Sequence, residues 1–336
     1  MLLNKKNIRI GFSIGDLNGI GGELILKVLQ DYKLLEFCTP IIYASAKFID
    51  FLINHFNTSV SFNEINDVRE AIPNKINVVN VWAEDVKADF GNRTTESGKY
   101  AVFSLQSSVK DLKLELIDVL VTSPINKYNI RSSKFKFPGH TDYIANELNG
   151  ESLMFMISDK LRVGLLTDHI PINKVSLKIN ESLIFKKIDI IVNSLKNDFG
   201  IADPRVAVLG INPHTGDNGI IGIEDDTIIR PAIEKLKNSN KLIYGPYAAD
   251  SFFGSNQFKK FDAIVACYHD QGLIPFKTLT FGEGVNFTAG LNRIRTSPDH
   301  GTAYDIAGQG IANIKSFKNA ILKGIEIYKN RNLNNF

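Results

Sequence analysis

Phe261-Asp262-Ala263-Ile264-Val265-Ala266-Cys267-Tyr268-His269-Asp270-Gln271-Gly272 is a short apolar run that delivers a cluster of polar, proton-handling groups. The run has the length and the β-branched content of a buried strand. Open α/β sheets set their sites at the ends of such strands, so this stretch points to an α/β fold and to an active-site segment. The segment continues through Lys277, the glycine-punctuated Gly282-Glu283-Gly284-Val285-Asn286, then Arg293 and Arg295, and ends in Ser297–Gly308. A stretch that served only a core would have little use for this density of His, Asp, Lys, Arg and Gly.

The same pattern recurs upstream. Residues 8–13 read as a strand that runs into Ile14-Gly15-Asp16-Leu17-Asn18-Gly19-Ile20-Gly21-Gly22-Glu23 and then a helix over 24–29. Glycines there either let backbone N–H groups approach an anion or answer a tight turn, and both readings are open. The spacing matches neither GxGxxG nor GxxxxGK[ST]. Strands over 40–43, 76–81 and 118–122 alternate with helices over 46–55 and 97–116, which predicts a parallel sheet covered on both faces. His55, among Phe51, Leu52 and Phe56, reads as a surface or core residue and not a ligand. Trp82 and the residues to 95 read as a loop. Thr122-Ser123-Pro124-Ile125-Asn126-Lys127 ends its strand in a hydroxyl pair and an amine. Gly139-His140-Thr141 opens a helix, where Thr is either a cap or an anion contact.

Strands over 153–157, 161–167, 205–209 and 242–244 follow, with helices over 181–199, 224–236 and 314–328. The first of these helices has Asn180 to cap it and Gly200 to stop it.

A chain of 336 residues has room for two domains, and 44% apolar residues suit a folded protein. A net charge of +3 without a basic stripe gives no case for nucleic acid. No segment reads as a signal peptide or a membrane span, and two cysteines far apart suit a reducing compartment, so a cytoplasmic protein is expected.

Three of the 6 histidines, His169, His214 and His269, each follow an apolar strand and precede a turn. A parallel sheet brings such positions to one edge, and three imidazoles without a cysteine make a divalent-metal shell the preferred reading over a structural role. Asp168, Asp217 and Asp270 stand beside them as groups to hold a ring N–H. Lys277, Arg293 and Arg295 favour an anionic small molecule, because Arg grips phosphate or carboxylate with a two-pronged fork.

Gly139-His140-Thr141-Asp142, Asn212-Pro213-His214-Thr215-Gly216, Tyr268–Gly272, Gly284-Val285-Asn286 and Arg295–Ala303 together resemble the 4-hydroxythreonine-4-phosphate dehydrogenase family, PdxA. The resemblance covers nearly the whole chain. Gly15-Asp16 with Gly19-Ile20-Gly21, and His300–Gly308, also resemble loops of the isocitrate and isopropylmalate dehydrogenases, a superfamily that binds NAD without a Rossmann fingerprint. The resemblance implies two α/β/α subdomains with a central cleft. Residues 1–130 with 280–336 would carry the NAD loop, and 131–279 the metal, the substrate and the dimer contact. It implies His169, His214 and His269 as ligands of a zinc, magnesium or cobalt ion. His140, Thr141, Lys277, Asn286 and Arg295 would contact the substrate, and Gly15, Asp16, His300, Gly301, Ala303 and Asp305 the NAD or NADP. Asp250 and Asp270 are the candidates for the base, equally readable as groups that orient others.

The implied reaction oxidises 4-phosphooxy-L-threonine at C3 and decarboxylates the product to 3-amino-2-oxopropyl phosphate in pyridoxal 5'-phosphate biosynthesis. The implied unit is a homodimer with shared sites. Oxidation of a phosphothreonate or phosphoerythronate, and acyl-phosphate transfer, are the alternatives. Gly22, where the family usually has Pro, and Asp16-Leu17-Asn18, where Glu-Pro-Ala is common, depart from the pattern in the N-terminal loop.

Overall fold

A computed structural model describes residues 7–131, 135–137 and 139–333. Residues 1–6 and Pro138, which precedes the Gly139-His140 motif, lie outside the described residues. In chain order the strands are β1 (Ile8–Ser13), β2 (Cys38–Ala44), β3 (Asn63–Ile65), β4 (Asn77–Asn80), β5 (Val119–Thr122), β6 (Leu153–Ile157), β7 (Arg162–Leu165), β8 (Val206–Leu209), β9 (Ile243–Tyr247), β10 (Ala263–Ala266), β11 (Val285–Ala289) and β12 (Ile294–Pro298). The helices are α1 (Gly21–Leu29), α2 (Ala46–Phe56), α3 (Thr95–Lys113), α4 (His140–Glu147), α5 (Val175–Lys178), α6 (Glu181–Asn197), α7 (Arg230–Asn238), α8 (Ala249–Gly254), α9 (His269–Thr280) and α10 (Lys315–Leu333).

The chain divides into two compact units, residues 1–150 with 291–328, and residues 151–290 with 329–336. In the first unit the strand order is β3-β4-β2-β1-β5-β12, every pairing parallel. Residues of β1, β2 and β5 are almost all buried, as strands covered on both faces must be. The register pairs Ser13 with both Tyr43 and Thr122, so three strands end together. Helix α3 covers one stretch of this sheet through Ala101, Leu105, Val109 and Leu112, which share a core with Leu120 and with Tyr143 and Ile144 of α4.

In the second unit the order is β11-β6-β7-β10-β8-β9. This sheet is mixed, because β6 runs antiparallel to both β11 and β7. Between β6 and β7 stands only a tight turn in which Ser158 Oγ accepts from the N–H of Lys160 and of Leu161, each 3.2 Å. A parallel return needs a crossover of a dozen residues or more, so this link makes a hairpin. β7, β10 and β8 are mutually parallel. Helix α6 is capped by Asn180, whose Oδ1 accepts from Leu183 N at 2.9 Å, and stops before Gly200 at φ +69°.

The boundaries differ from those expected at 130 and 280. α4 belongs with the first unit because Tyr143, Ile144 and Leu148 complete its core. β11 belongs with the second because its whole length pairs with β6. The chain end also returns there, where Arg331 Nε donates to Asp198 Oδ1 at 2.6 Å. His140 and Thr141 are thereby carried by the first unit, and Asn286 by the second.

Candidate active site

In the second unit the parallel neighbours β7 and β10 pair Leu165 with Ala266 and so end level. Beyond them Thr167 N–H and Oγ1–H both donate to the Cys267 carbonyl, at 3.2 and 2.7 Å. This fastening carries the next residues side by side, and the His169 and His269 rings stand 5.5 Å apart between centroids. His269 opens α9, and its Nδ1 meets Asp270 Oδ1 at 2.6 Å. With the Nδ1 proton given to the carboxylate, Nε2 keeps its lone pair for a ligand. The two rings, with Asp168, Tyr268, Ile170 and Val175, line an open depression of about 420 Å³.

β8 lies on the other side of β10, and Gln271 bridges their ends. Its Oε1 accepts from Cys267 N at 2.7 Å and its Nε2 donates to the Gly210 carbonyl at 2.6 Å. The loop that follows is built on Asp225, fully buried, whose carboxylate accepts from the N–H of Ile211 and Asn212 at 2.9 and 3.0 Å. His214 to Gly219 then run through positive φ at every residue: 52, 55, 85, 45, 54 and 88°. Each side chain in such a conformation costs on the order of 1 kcal/mol, so the anchored loop imposes it.

His214 does not join the other two histidines. Among the described residues no three His, Cys, Asp or Glu side chains converge closely enough to hold an ion. The donor set of His169 with His269 suits two neighbouring positions of a divalent ion, and the third imidazole stands apart.

The two acid candidates separate by environment. Asp270 is committed to His269 through this contact. Asp250, in the first turn of α8, is exposed, and hydrogen bonds from the backbone N–H and the hydroxyl of Ser251, then the nearby His214, hold its carboxyl below the usual range. Lys277 is exposed on α9, and Asn286 on β11 has a buried Oδ1 without a hydrogen-bond partner.

The first unit carries the remaining groups. Arg295 on β12 is 2% exposed, and its Nε and Nη2 donate to Thr122 Oγ1 at 3.0 and 2.6 Å. Burial pushes its guanidinium down to about 9, which leaves it a cation at neutral pH. His140 is the first residue of α4, a helix whose N-terminus has no side-chain cap. Its Nε2 is buried without a partner. Burial, then Arg295, then Lys127 hold this imidazole well below its ordinary range, so it is neutral. Thr141 is half-buried at the second helical position and does not cap.

The glycine loop is a tight turn. Gly15 sits at φ +76°, where a Cβ would lie 2.4 Å from the Pro124 carbonyl oxygen. Asp16, 1% exposed, spends both oxygens internally. Oδ1 accepts from Asn18 N at 3.0 Å, and Oδ2 from Tyr304 OH at 2.8 Å and Asn129 Nδ2 at 3.2 Å. The loop also docks on the segment that runs from His300 to Asp305, where Ile20 N donates to the Thr302 carbonyl at 3.1 Å. In that segment His300 Nε2 is buried without a partner, a Cβ on Gly301 would meet nothing within 4 Å, and Ala303 sits at φ +44°. Asp305 is exposed, and its carbonyl accepts from Gln309 Nε2 at 2.8 Å. An imidazole with one unpartnered nitrogen, its Nδ1 meeting the Gly301 carbonyl at 3.1 Å, beside bare backbone fits a bound nicotinamide nucleotide.

Some partners escaped the sequence reading. Tyr304 bonds Asp16 across 288 residues, a pairing no local spacing encodes. Thr122 belonged to a hydroxyl pair already conspicuous at its strand end, and its hold on Arg295 gives that pair a purpose.

The family model described as pyridoxal phosphate biosynthetic protein PdxA matches residues 36–323. A 4-hydroxythreonine-4-phosphate dehydrogenase of Bacteroides thetaiotaomicron is 46% identical over 331 residues, 98% of this chain and 91% of that one. A D-threonate 4-phosphate dehydrogenase of Cupriavidus necator is 36% identical over 96% of this chain and 98% of its own length. Among solved structures, a 4-hydroxythreonine-4-phosphate dehydrogenase from Klebsiella pneumoniae superposes with a TM-score of 0.83 at 30% identity, covering 98% of this chain and 99% of that one.

Proposed function

We infer the reaction from one premise: the chain belongs to the PdxA family of pyridoxal phosphate biosynthetic proteins. It is a dehydrogenase that works with a nicotinamide cofactor on a phosphorylated substrate. The reaction is NAD-dependent oxidation of 4-phosphooxy-L-threonine at C3, followed by decarboxylation to 3-amino-2-oxopropyl phosphate. The observation that carries this reading is the 46% identity, over 98% of the chain, to a 4-hydroxythreonine-4-phosphate dehydrogenase.

The chain's own groups support a division of labour. Arg295, neutral His140, Thr141, Lys277 and Asn286 bind and orient the substrate's charged and polar groups. Buried Arg295 is fixed by Thr122, so its fork is set before substrate arrives. Asp250, ionised and exposed, takes the proton of the C3 hydroxyl as the hydride leaves. His169 and His269 would hold a zinc, magnesium or cobalt ion, with His214, which stands apart from them within one chain, as the third ligand through the shared site of the proposed homodimer, and Asp270 fixes the His269 ring. That ion would supply positive charge for ionising the hydroxyl and for the negative charge that develops as carbon dioxide departs. NAD, with NADP as a second candidate, would bind along Gly15, Asp16, His300, Gly301, Ala303 and Asp305 and supply the hydride acceptor. Within that set Asp16 positions the loop through Tyr304.

The homodimer is part of the proposal. Exposed apolar residues follow each metal histidine in the chain: Ile172 and Leu177 are 70 and 81% exposed, Ile220 and Ile223 are 82 and 61%, and Ile274 is 63%. Apolar surface repeated beside the three histidine loops suits a covering partner subunit.

The second reading, oxidation of D-threonate 4-phosphate, is favoured by the 36% identical relative that bears that name. The experiment measures NADH formation from both substrates, with and without chelator, with light scattering on the same sample. Higher kcat/KM for 4-phosphooxy-L-threonine, loss with chelator and a dimeric mass are expected. Preference for the threonate overturns the substrate, chelator-resistant turnover overturns the metal, and an active monomer overturns the shared site.

A further inference from the structure

Lys127 stands where the reaction above gives it no task. It lies in the turn after β5, and that turn is fixed from several sides. Asn126 Oδ1 accepts from the N–H of Tyr128 and Asn129 at 2.9 and 3.2 Å. Asn129, 5% exposed, is tied in turn to the buried Asp16. The backbone on both sides of Lys127 is therefore held, while its side chain is exposed.

That side chain passes the N-terminus of α4. A Cβ built on Gly139 would lie 3.7 Å from Lys127 Cε, so the aliphatic stem runs against the residue that precedes His140. The ammonium acts electrostatically on His140, as does the buried guanidinium of Arg295. Three features thus meet at one helix start. Two are cations, one buried and one exposed. The third is a neutral imidazole whose Nε2 is buried and has no partner. Around them α4 begins without a side-chain cap, with only Gly139 at the capping position. Asp142, in the same first turn, is exposed. Two like charges held beside a buried, unpartnered nitrogen repel each other unless an anion joins them. Helix starts supply N–H groups and positive potential to such an anion.

We propose that Lys127 is a substrate-recognition residue that binds the phosphate group of the substrate, together with Arg295, His140 and the first turn of α4. Arg295 gives directed, paired hydrogen bonds from a fixed position. Lys127 gives a mobile point charge at the exposed side. A dianion is better satisfied by this pair than a carboxylate, which Arg295 alone would neutralise. Lys127 is then the residue that separates phosphorylated from unphosphorylated hydroxy acids. The identity of the substrate rests on the proposed reaction, but the recognition of phosphate does not.

The test compares the full chain with Lys127→Gln and Lys127→Arg. Calorimetric titration with inorganic phosphate reads the subsite without any turnover. Steady-state kinetics with 4-phosphooxy-L-threonine reads the KM and kcat separately. Loss of one charge-assisted bond should weaken phosphate binding about tenfold to a hundredfold in Lys127→Gln. The substrate KM should rise by a similar factor, with kcat and the KM for NAD within about twofold. Lys127→Arg should recover most of the loss. Equal phosphate affinity in the parent and Lys127→Gln proteins overturns the proposal, and so does a parent protein that binds no phosphate. A parent that binds phosphate in a Lys127-dependent way but forms no NADH leaves this recognition standing and refutes the proposed reaction instead.

Discussion

The two units treat the ends of their parallel strands in opposite ways. In the first, the loops bond to one another: the Asp16 carboxylate takes three donors, and Asn18 Nδ2 donates to the Asn92 carbonyl and to Thr94 Oγ1 at 2.9 and 3.0 Å. In the second, the backbone is fastened by Thr167, Gln271 and Asp225. His169 and His269 face an open depression, Asp250 is exposed, and Ile172, Leu177 and Ile220 are bare. The difference teaches which groups serve the fold and which serve a ligand. A loop that has spent its polar groups internally is shaped in advance of any ligand. A loop that holds imidazoles out over a depression awaits something from outside.

The largest expected effect comes from the open loops. His269→Ala should lower kcat/KM by roughly a thousandfold, because loss of the proposed metal ligand would remove several kcal/mol of charge stabilisation. Metal content by atomic emission should fall with it. The melting temperature should barely move, since the ring contributes little to the core and surface substitutions usually stay within about 0.5 kcal/mol. Full metal content with full turnover would refute the ligand role, and a large fall in melting temperature would erase the contrast between the units.

Asp16→Ala should behave in the reverse sense. It strands the N–H of Asn18, the amide of Asn129 and the hydroxyl of Tyr304 in a buried place. Each unpaired buried group costs about 1–3 kcal/mol, and because the three share one carboxylate their sum is closer to about 3 kcal/mol than to the arithmetic total. Urea unfolding should read that loss, while metal content stays unchanged. A change under about 0.5 kcal/mol, within the scatter of neutral surface substitutions, would show that the carboxylate was free for the cofactor after all.

The sequence carried much of this arrangement where the signals were local. The apolar run of β1 and the run of β6 match the strands observed, residue for residue. Asn180 and Gly200 bracketed α6 because caps and stops are written in single residues. Helix α9 was hidden by Gly272 and Pro275, residues that ordinarily interrupt helices. The glycine is needed there, since a Cβ would lie 2.9 Å from side-chain carbons of Leu165 and Val163 on β7. The hairpin of β6 and β7 was readable as two strands but not as a reversal of direction, because direction depends on what the turn can span. Among the site residues, His169 and His269 are brought together by adjacent parallel strands, as their shared context suggested. His214 shares that context and still stands apart, because its loop turns through a left-handed run set by Asp225. That run depends on burial of one carboxylate, which spacing does not reveal.

The smallest effect tests a place where the first unit breaks its own habit. Its polar loops are satisfied internally, yet His140 Nε2 is buried and unpartnered. Burial, with Arg295 and Lys127, holds this imidazole well below its ordinary value in the folded chain. In the unfolded chain it titrates near 6.5. Above that value the ring is neutral in both states and adds no pH dependence. Below it the unfolded chain binds a proton that the folded chain refuses, so stability falls as the pH drops toward the folded value. The slope for one such group is at most about 1.4 kcal/mol per pH unit. His140→Gln keeps a neutral polar side chain and removes the titration, so its stability should decline less between about pH 7 and 5.5 than that of the parent. Urea midpoints at several pH values within that window measure the difference. Parallel pH curves for the two proteins would mean that the ring is as well solvated in the fold as outside it, and that the helix start holds no unfilled position.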